Sequence, residues 1–323
     1  MHFIRLIRPI NLLVIILTMY GIRMFFIPYM SEDIVLKKSH PHEALDYFLL
    51  VFSTVLIAAA GNIINDYFDV KADRINKPDK VIIGKYLKPR WAIVSHWILN
   101  LVAFSIACYL TWEYETFWYV FIHLLSINVL WFYSMYFKRK FLIGNLLIAA
   151  LTGLVPLLCG IHFLGLTTPF QSANFMSDFK EGANWISQLN LKIFFVVALA
   201  FFASCLNLVR EIVKDMEDVE GDLLLKAKTI PIVLGINKAK WISFVCLIAI
   251  IGISLPFLIE GYAVFNHTFI RVMGPSFLIY FLLLICCIIL LNKPDRNRLK
   301  RIDLILKITM LIGCSMPFYW YFL

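Results

Sequence analysis

The sequence has little charge, and acidic residues are the scarcest part of it. Asp, Glu, Lys and Arg make up only 16% of the 323 residues, against about 25% in an average soluble domain. Hydrophobic residues make up 61%, and the mean hydropathy is +0.81. This composition excludes a disordered chain or a coiled coil, and it argues against a soluble enzyme. It predicts a helical integral membrane protein, because a backbone in lipid must satisfy its own hydrogen bonds.

Redox and cofactor motifs are also missing. The seven cysteines lie in apolar stretches and form no CxxC pair, which indicates small buried hydrophobic residues rather than disulfides or metal ligands. No motif for ATP, haem, zinc or a dinucleotide stands out. We interpret the net charge of +9 as basic loops that orient a membrane protein, not as a surface for nucleic acid.

Nine apolar segments approach the length of about 20 residues that a membrane-spanning helix needs. Their predicted limits are 9–29, 46–65, 91–111, 116–136, 142–163, 192–213, 240–259, 270–291 and 303–322. With a cytoplasmic N-terminus, the inner segments carry 24 of the 30 Lys and Arg residues. We therefore expect one all-α domain over residues 1–323, in the plasma (inner) membrane, with nine transmembrane helices and its acidic loops facing the cytoplasm.

The acidic residues cluster at the ends of spans two and six, in GNIINDYFDVKAD (61–73) and REIVKDMEDVEGD (210–222). Both clusters have the same spacing at an offset of 149 residues: Asp66, Asp69 and Asp73, then Asp215, Asp218 and Asp222. Spacings of three and four place each set on one face of a helix, if the helix continues that far. Gly221 makes continuation to the last aspartate less certain.

Two such clusters of like charge are unfavourable unless cations bind them. Mg²⁺ prefers carboxylate oxygens and completes its shell with water and substrate phosphates. Lys and Arg residues follow both clusters, which is the composition of a diphosphate site. In a membrane protein the natural diphosphate is that of an isoprenoid, and aromatic side chains, 15% of the sequence, stabilise an allylic cation.

These motifs resemble those of the UbiA-type intramembrane prenyltransferases. NDYFDVKAD (65–73) resembles the family's NDxxDxxxD motif, residues 215–222 resemble its second aspartate-rich motif, and RPIN (8–11) resembles the start of its first helix. The resemblance covers residue 8 to about residue 235. It implies a helical bundle around a central cavity, with both motifs facing each other at the cytoplasmic end. It also implies Mg²⁺-dependent transfer of a prenyl group from its diphosphate to an acceptor.

The resemblance implies roles for individual residues. The implied metal ligands are Asn65, Asp66, Asp69, Asp73, Asp215, Asp218 and Asp222, and the catalytic set among them is Asp69, Asp73, Asp218 and Asp222. The implied substrate contacts are Asn11, Asn62, Arg74, Lys77, Lys138, Arg210 and Tyr133. One residue departs from the pattern: Lys80 stands where many members have Arg, and Lys lacks the planar fork of the guanidinium.

The acceptor and two other classes of function stay open. The second motif and the KTIP run at 228–231 resemble members that prenylate geranylgeranylglyceryl phosphate, and we favour that hydroxyl over an aromatic quinone precursor. A 4-hydroxybenzoate, homogentisate or naphthoate type of acceptor is the alternative. A membrane transporter also carries repeats and intramembrane carboxylates, although usually near mid-membrane. A non-catalytic isoprenoid-binding protein is the weakest alternative.

Overall fold

A computed structural model describes residues 2–31, 42–167, 188–265 and 269–322. The described part of the chain is helical, with no β-strand. The helices are α1 (His2–Leu6), α2 (Pro9–Ser31), α3 (Glu43–Asn76), α4 (Pro89–Glu113), α5 (Trp118–Met135), α6 (Ile143–Thr167), α7 (Gln188–Glu217), α8 (Val219–Leu224), α9 (Ile230–Leu234), α10 (Ile236–Phe265), α11 (Phe269–Leu291) and α12 (Arg296–Tyr321). Short 3₁₀ turns cover Pro78–Lys80 and Phe137–Arg139.

Each of the nine predicted spans corresponds to one long helix. Within the described ranges, eight helices are long and apolar enough to cross a membrane, and α2 is apolar over the shorter stretch Pro9–Met24. The prediction of an all-α integral membrane protein with about nine spans is therefore confirmed. The largest difference is in α3, which runs through 34 residues to Asn76 rather than ending near 65. No Gly or Pro interrupts it between 62 and 76, and Pro78 lies two residues beyond its end.

The long helices surround a central cavity of about 1100 Å³. α3 packs along α4, α6 packs along α7, and α12 contacts both α2 and α7, so that the last span closes the ring on the first. Eight helices contribute to the cavity wall, and α4 lies behind α3. Most of the wall is apolar, as a site for an apolar chain requires.

At the end of the bundle opposite the aspartate motifs, buried polar side chains pair with one another. Arg23 donates to Glu43 at 2.6 Å, and the hydroxyls of Tyr109 and Tyr114 donate to the Asp46 carboxylate at 2.9 and 3.1 Å. Asp46 is almost fully buried. Such groups are tolerated in a membrane interior because their partners satisfy them.

The cysteines are all free thiols. Cys159, Cys286 and Cys287 are buried in apolar packing, as the sequence predicts, whereas Cys108 is exposed on the outside of α4.

Candidate functional site

The first aspartate motif lies entirely on the last turns of α3. Within it, the Asn65 amide donates to Asp69 at 3.0 Å. Lys138, from the 3₁₀ turn between α5 and α6, forms an ion pair with the same Asp69 and lies 3.4 Å from the Asn65 amide oxygen. Burial alone would lower the pKa of Lys138, but Asp69 raises it above its usual range, so the ammonium stays charged.

A glycine holds the Lys138 turn against the next helix. A Cβ on Gly144 would stand 2.8 Å from the carbonyl oxygen of Phe137 and 2.9 Å from the Cα of Lys138. Only glycine allows that approach between the start of α6 and the backbone of the turn. The position of the Lys138 ammonium therefore depends on Gly144.

Two residues that were not among the predicted site residues also contact the motifs. Arg8, in the turn between α1 and α2, has a positive φ of 54° and forms an ion pair with Asp66. Asn145, near the start of α6, donates its side-chain amide to Asp215 at 2.8 Å. The resemblance of RPIN (8–11) to the start of the family's first helix singles out the first of these segments, but it does not indicate which aspartate Arg8 contacts.

The second motif does not continue on one straight helix. α7 ends at Glu217, Asp218 lies in a bend, and Asp222 lies on α8. The backbone N–H of Asp222 still donates to the Asp218 carbonyl at 3.1 Å, so the turn is retained while the direction changes. The sequence expectation that Gly221 disfavours a continuous helix through to Asp222 is confirmed. Lys77, which follows the first motif, crosses to form an ion pair with Asp218 at 2.8 Å.

The two motifs are joined by what we call the Asn76–Gly221 clasp. The Asn76 amide donates to the Asp218 carbonyl, and its oxygen accepts from the Gly221 N–H, both at 3.0 Å. A Cβ on Gly221 would stand 2.4 Å from Asn76 Nδ2 and 2.9 Å from the Ala72 carbonyl oxygen. The lack of a side chain at Gly221 therefore allows α8 to pack closely on the end of α3.

One carboxylate oxygen at this meeting point is unsatisfied, and two further carboxylates have no cationic partner in the described part of the chain. Asp218 Oδ1 is buried without a hydrogen-bond partner, and Asp73 and Asp222 form no ion pair among the described residues. Burial raises the pKa of Asp222 to about 6; Lys138 opposes this shift, and Asp218 and Asp69 add to it. Carboxylate oxygens in excess of their partners fit a hard divalent cation such as Mg²⁺.

The residue types at the motifs suit a divalent cation, but their side chains are not arranged around one metal position. No three described Asp, Glu, His or Cys side chains converge on one point. The Lys138 ammonium instead lies between the motifs, in contact with Asp69 and within electrostatic range of Asp222.

The other predicted substrate contacts divide into two groups. Asn11, Asn62, Tyr133 and Arg210 line the central cavity. Asn62 also donates to the carbonyl of Ile7 at 2.9 Å. Arg74 is exposed, and its guanidinium lies beside Gly84 in the following loop rather than in the cavity wall. The side chain of Lys80 lies outside the described part of the structure.

Comparison with known proteins gives consistent matches. The model of the UbiA prenyltransferase family matches residues 25–309. The digeranylgeranylglyceryl phosphate synthase of Methanobrevibacter smithii is 32% identical over 316 residues, which cover 96% of this chain and 94% of that protein.

Solved structures match at the level of the fold. A UbiA homologue from Aeropyrum pernix K1 superposes with a TM-score of 0.63 at 14% identity, covering 94% of this chain and 96% of that one. A UbiA homologue from Archaeoglobus fulgidus bound to DMAPP and Mg²⁺ superposes with a TM-score of 0.52 at 16% identity, covering 98% and 99%. At such low identities these likenesses concern the helical architecture.

Proposed function

The chain belongs to the UbiA prenyltransferase family, and we infer that it transfers a prenyl group from an isoprenoid diphosphate to the hydroxyl of a geranylgeranylglyceryl phosphate-type lipid. Family membership favours the enzyme over the transporter and the non-catalytic binding protein. The acceptor is supported by the relative from Methanobrevibacter smithii, whose name is that of a digeranylgeranylglyceryl phosphate synthase.

The observation that carries the proposal is the meeting of two aspartate motifs at the end of an apolar cavity that Asn65 of the first motif lines; we call this end the mouth. The Asn76–Gly221 clasp joins the motifs, and Lys138 and Lys77 bring ammonium groups to them. The same mouth therefore offers oxygen ligands for a cation and cations for phosphate oxygens. The cavity behind it is wide enough to bury a long apolar chain.

We propose that the motif residues hold Mg²⁺ directly or through water: Asn65, Asp66, Asp69, Asp73, Asp215, Asp218 and Asp222. When bound, Mg²⁺ supplies the charge neutralisation that makes a diphosphate a good leaving group. The unpartnered Asp218 Oδ1 favours Asp218 as a ligand. The lack of an ion pair to Asp73 and Asp222 among the described residues favours those two as well.

The chain's own residues bind and orient the two substrates. Lys138 and Lys77 exchange part of their contact with Asp69 and Asp218 for the phosphate oxygens as the diphosphate enters. The C1–O bond breaks with its electron pair left on the diphosphate. The acceptor oxygen bonds to C1, and its proton passes to the released diphosphate, whose oxygens gain negative charge as the bond breaks. Tyr133 and Tyr280 in the cavity wall offer aromatic faces to the developing allylic cation.

We also propose that the motif end faces the cytoplasm. The segments at that end carry 24 of the 30 Lys and Arg residues, and this bias orients membrane proteins. The prenyl diphosphate would then enter from the inner leaflet.

A product assay in nanodiscs tests the proposal. Labelled geranylgeranyl diphosphate and Mg²⁺ are supplied with geranylgeranylglyceryl phosphate in one tube and 4-hydroxybenzoate in another. We expect an ether-lipid product in the first tube only. Product with 4-hydroxybenzoate alone would move the chain to the aromatic acceptors, and absence of both product and diphosphate release would contradict the proposal.

Two variants test the metal ligands. Asp69→Asn and Asp218→Asn should each lower turnover at least about 100-fold, the scale of losing one group that stabilises transition-state charge. The control is Asp79→Asn, which removes an exposed carboxylate just beyond α3 and should leave turnover unchanged. Normal turnover in either motif variant would exclude that aspartate as a ligand.

A further inference from the structure

A second group of charges lies beside the aspartate motifs, and most of its members line the cavity. We call it the Arg210 cluster: Arg210, Glu211 and Lys214 on α7, with Asp303 and Lys307 on α12. Arg210 donates to Glu211 at 2.9 Å, and Lys307 donates to Asp303 at 2.5 Å. Arg210 Nε lies 2.9 Å from Asp303 Oδ1, but its N–H is not aimed at that oxygen.

The cluster is more cationic than its own carboxylates can balance. Its three cations face two carboxylates, so one positive charge remains. Buried Arg210 Nε and Asp303 Oδ1 both lack a hydrogen-bond partner. The Lys307 side chain remains 42% exposed, and Lys307, Arg210 and Lys214 all line the cavity. Ionisable groups that face the cavity of a membrane protein mark binding sites.

The cluster stands beside the motifs at a similar depth. Arg296, at the start of α12, donates to the carbonyl of Asn76, at the end of α3, with a distance of 2.5 Å. Asp303 and Asp69 each lie seven residues from that contact, which is about 10 Å along either helix. Glu211 is also within electrostatic range of Lys138 and Arg8. An anion held by the cluster would therefore lie near the diphosphate without occupying its site.

We propose that the Arg210 cluster binds the phosphate monoester of the lipid acceptor and thereby holds the acceptor hydroxyl beside the prenyl diphosphate. This inference rests on the proposed function and places Arg210, which the family resemblance implies as a substrate contact, at the acceptor. The Arg210 guanidinium presents a planar set of donors that matches phosphate oxygens, and the lysines add mobile point charges. A phosphate monoester offers these donors three acceptor oxygens, whereas a carboxylate offers two.

The test compares two acceptors that differ only in the phosphate. Geranylgeranylglyceryl phosphate and geranylgeranylglycerol are bound at equilibrium to the full chain in nanodiscs, with EDTA present so that no turnover occurs. We expect the wild type to bind the phosphate form roughly 10- to 100-fold more tightly, the value of a charge-assisted hydrogen bond. Lys307→Met should remove most of that preference, and Lys307→Arg should retain it.

Lys300→Met is the matched control, because Lys300 is exposed on the same helix and does not line the cavity. It should bind both acceptors as the wild type does. Lys307→Met should still fold, since Arg210 remains next to Asp303. In the product assay with Mg²⁺, Lys307→Met should raise the KM for the acceptor and leave the KM for geranylgeranyl diphosphate unchanged.

Three results would overturn the inference. The first is a wild type that does not discriminate between the acceptors, and the second is a Lys307→Met variant that behaves as Lys300→Met. The third is a raised KM for the prenyl diphosphate alone, which would assign the cluster to the donor. If the wild type makes ether product while any of these holds, only the acceptor site fails. If it makes none, the proposed function itself fails.

Discussion

Replacing Gly221 by alanine should separate the two aspartate motifs. The new methyl group would stand 2.4 Å from Asn76 Nδ2, 2.8 Å from its Cγ and 2.9 Å from the Ala72 carbonyl oxygen. Distances below 3.0 Å require movement. Asn76 can move only by giving up both hydrogen bonds of the clasp, and the Ala72 oxygen belongs to the backbone of α3.

The cost follows from these contacts. Two hydrogen bonds contribute about 2 kcal/mol, and crowding a packed site costs about 1–3 kcal/mol. The better helix propensity of alanine returns about 1 kcal/mol. The net loss of stability should be about 2–4 kcal/mol. Turnover should fall about 100-fold, because a displacement of about 1 Å in a catalytic group has that effect.

Apparent Tm in detergent and Mg²⁺-dependent diphosphate release measure the two effects. Gly252→Ala is the control, since a Cβ there meets no heavy atom within 4 Å and only the helix propensity changes. In the double variant Asn76→Ala/Gly221→Ala, part of the clash is gone. Its loss of stability should therefore be smaller than the sum of the losses in the two single variants. A Gly221→Ala protein with unchanged Tm and turnover would refute the clasp.

Three further perturbations follow from the structure. Gly144→Ala should push the Lys138 turn away from α6 and raise the KM for the prenyl diphosphate by about 10-fold; steady-state kinetics showing no change in KM would contradict the role of that turn. Removal of divalent cations with EDTA should stop diphosphate release, and Mg²⁺ should restore it; release that persists in EDTA would contradict the metal assignment. Arg23→Met leaves Glu43 without the guanidinium that donates to it at 2.6 Å. It should lower the free energy of unfolding by about 3 kcal/mol, which is measured as a lower apparent Tm. Turnover per folded molecule should stay the same, and a selective loss of turnover would show that this distant pair acts on the site.

Hydropathy and spacing predicted much of the architecture. The nine apolar runs correspond to nine helices because lipid leaves a hydrophobic helix few alternatives. The shared spacing of the two aspartate sets indicated one function for both, and the resemblance to the family pointed to Lys138 as a substrate contact. The predicted span limit at residue 65 marks where hydropathy falls, whereas α3 continues to Asn76 because nothing in between breaks a helix.

The contacts between distant helices were beyond sequence reasoning. Arg8 on Asp66 and Asn145 on Asp215 depend on how helices pack, and no periodicity along one helix contains that information. Gly221 was recognised as a possible interruption, but its role is the approach of Asn76. Asp303 and Lys307 lie in the last span, where the sequence carries no recognisable motif.

The length of α3 has a consequence for the membrane in which the chain works. Its 22 residues from Glu43 to Ile64 measure about 33 Å, close to the hydrocarbon thickness of about 30 Å, and the aspartate motif starts at the next residue. The length of α3 before the motif therefore places the carboxylates at the level of the lipid headgroups. The prenyl chain can remain in hydrocarbon throughout the reaction while its diphosphate stays hydrated. A thicker bilayer would draw the carboxylates into hydrocarbon, so hydrophobic mismatch couples the host lipid to the site.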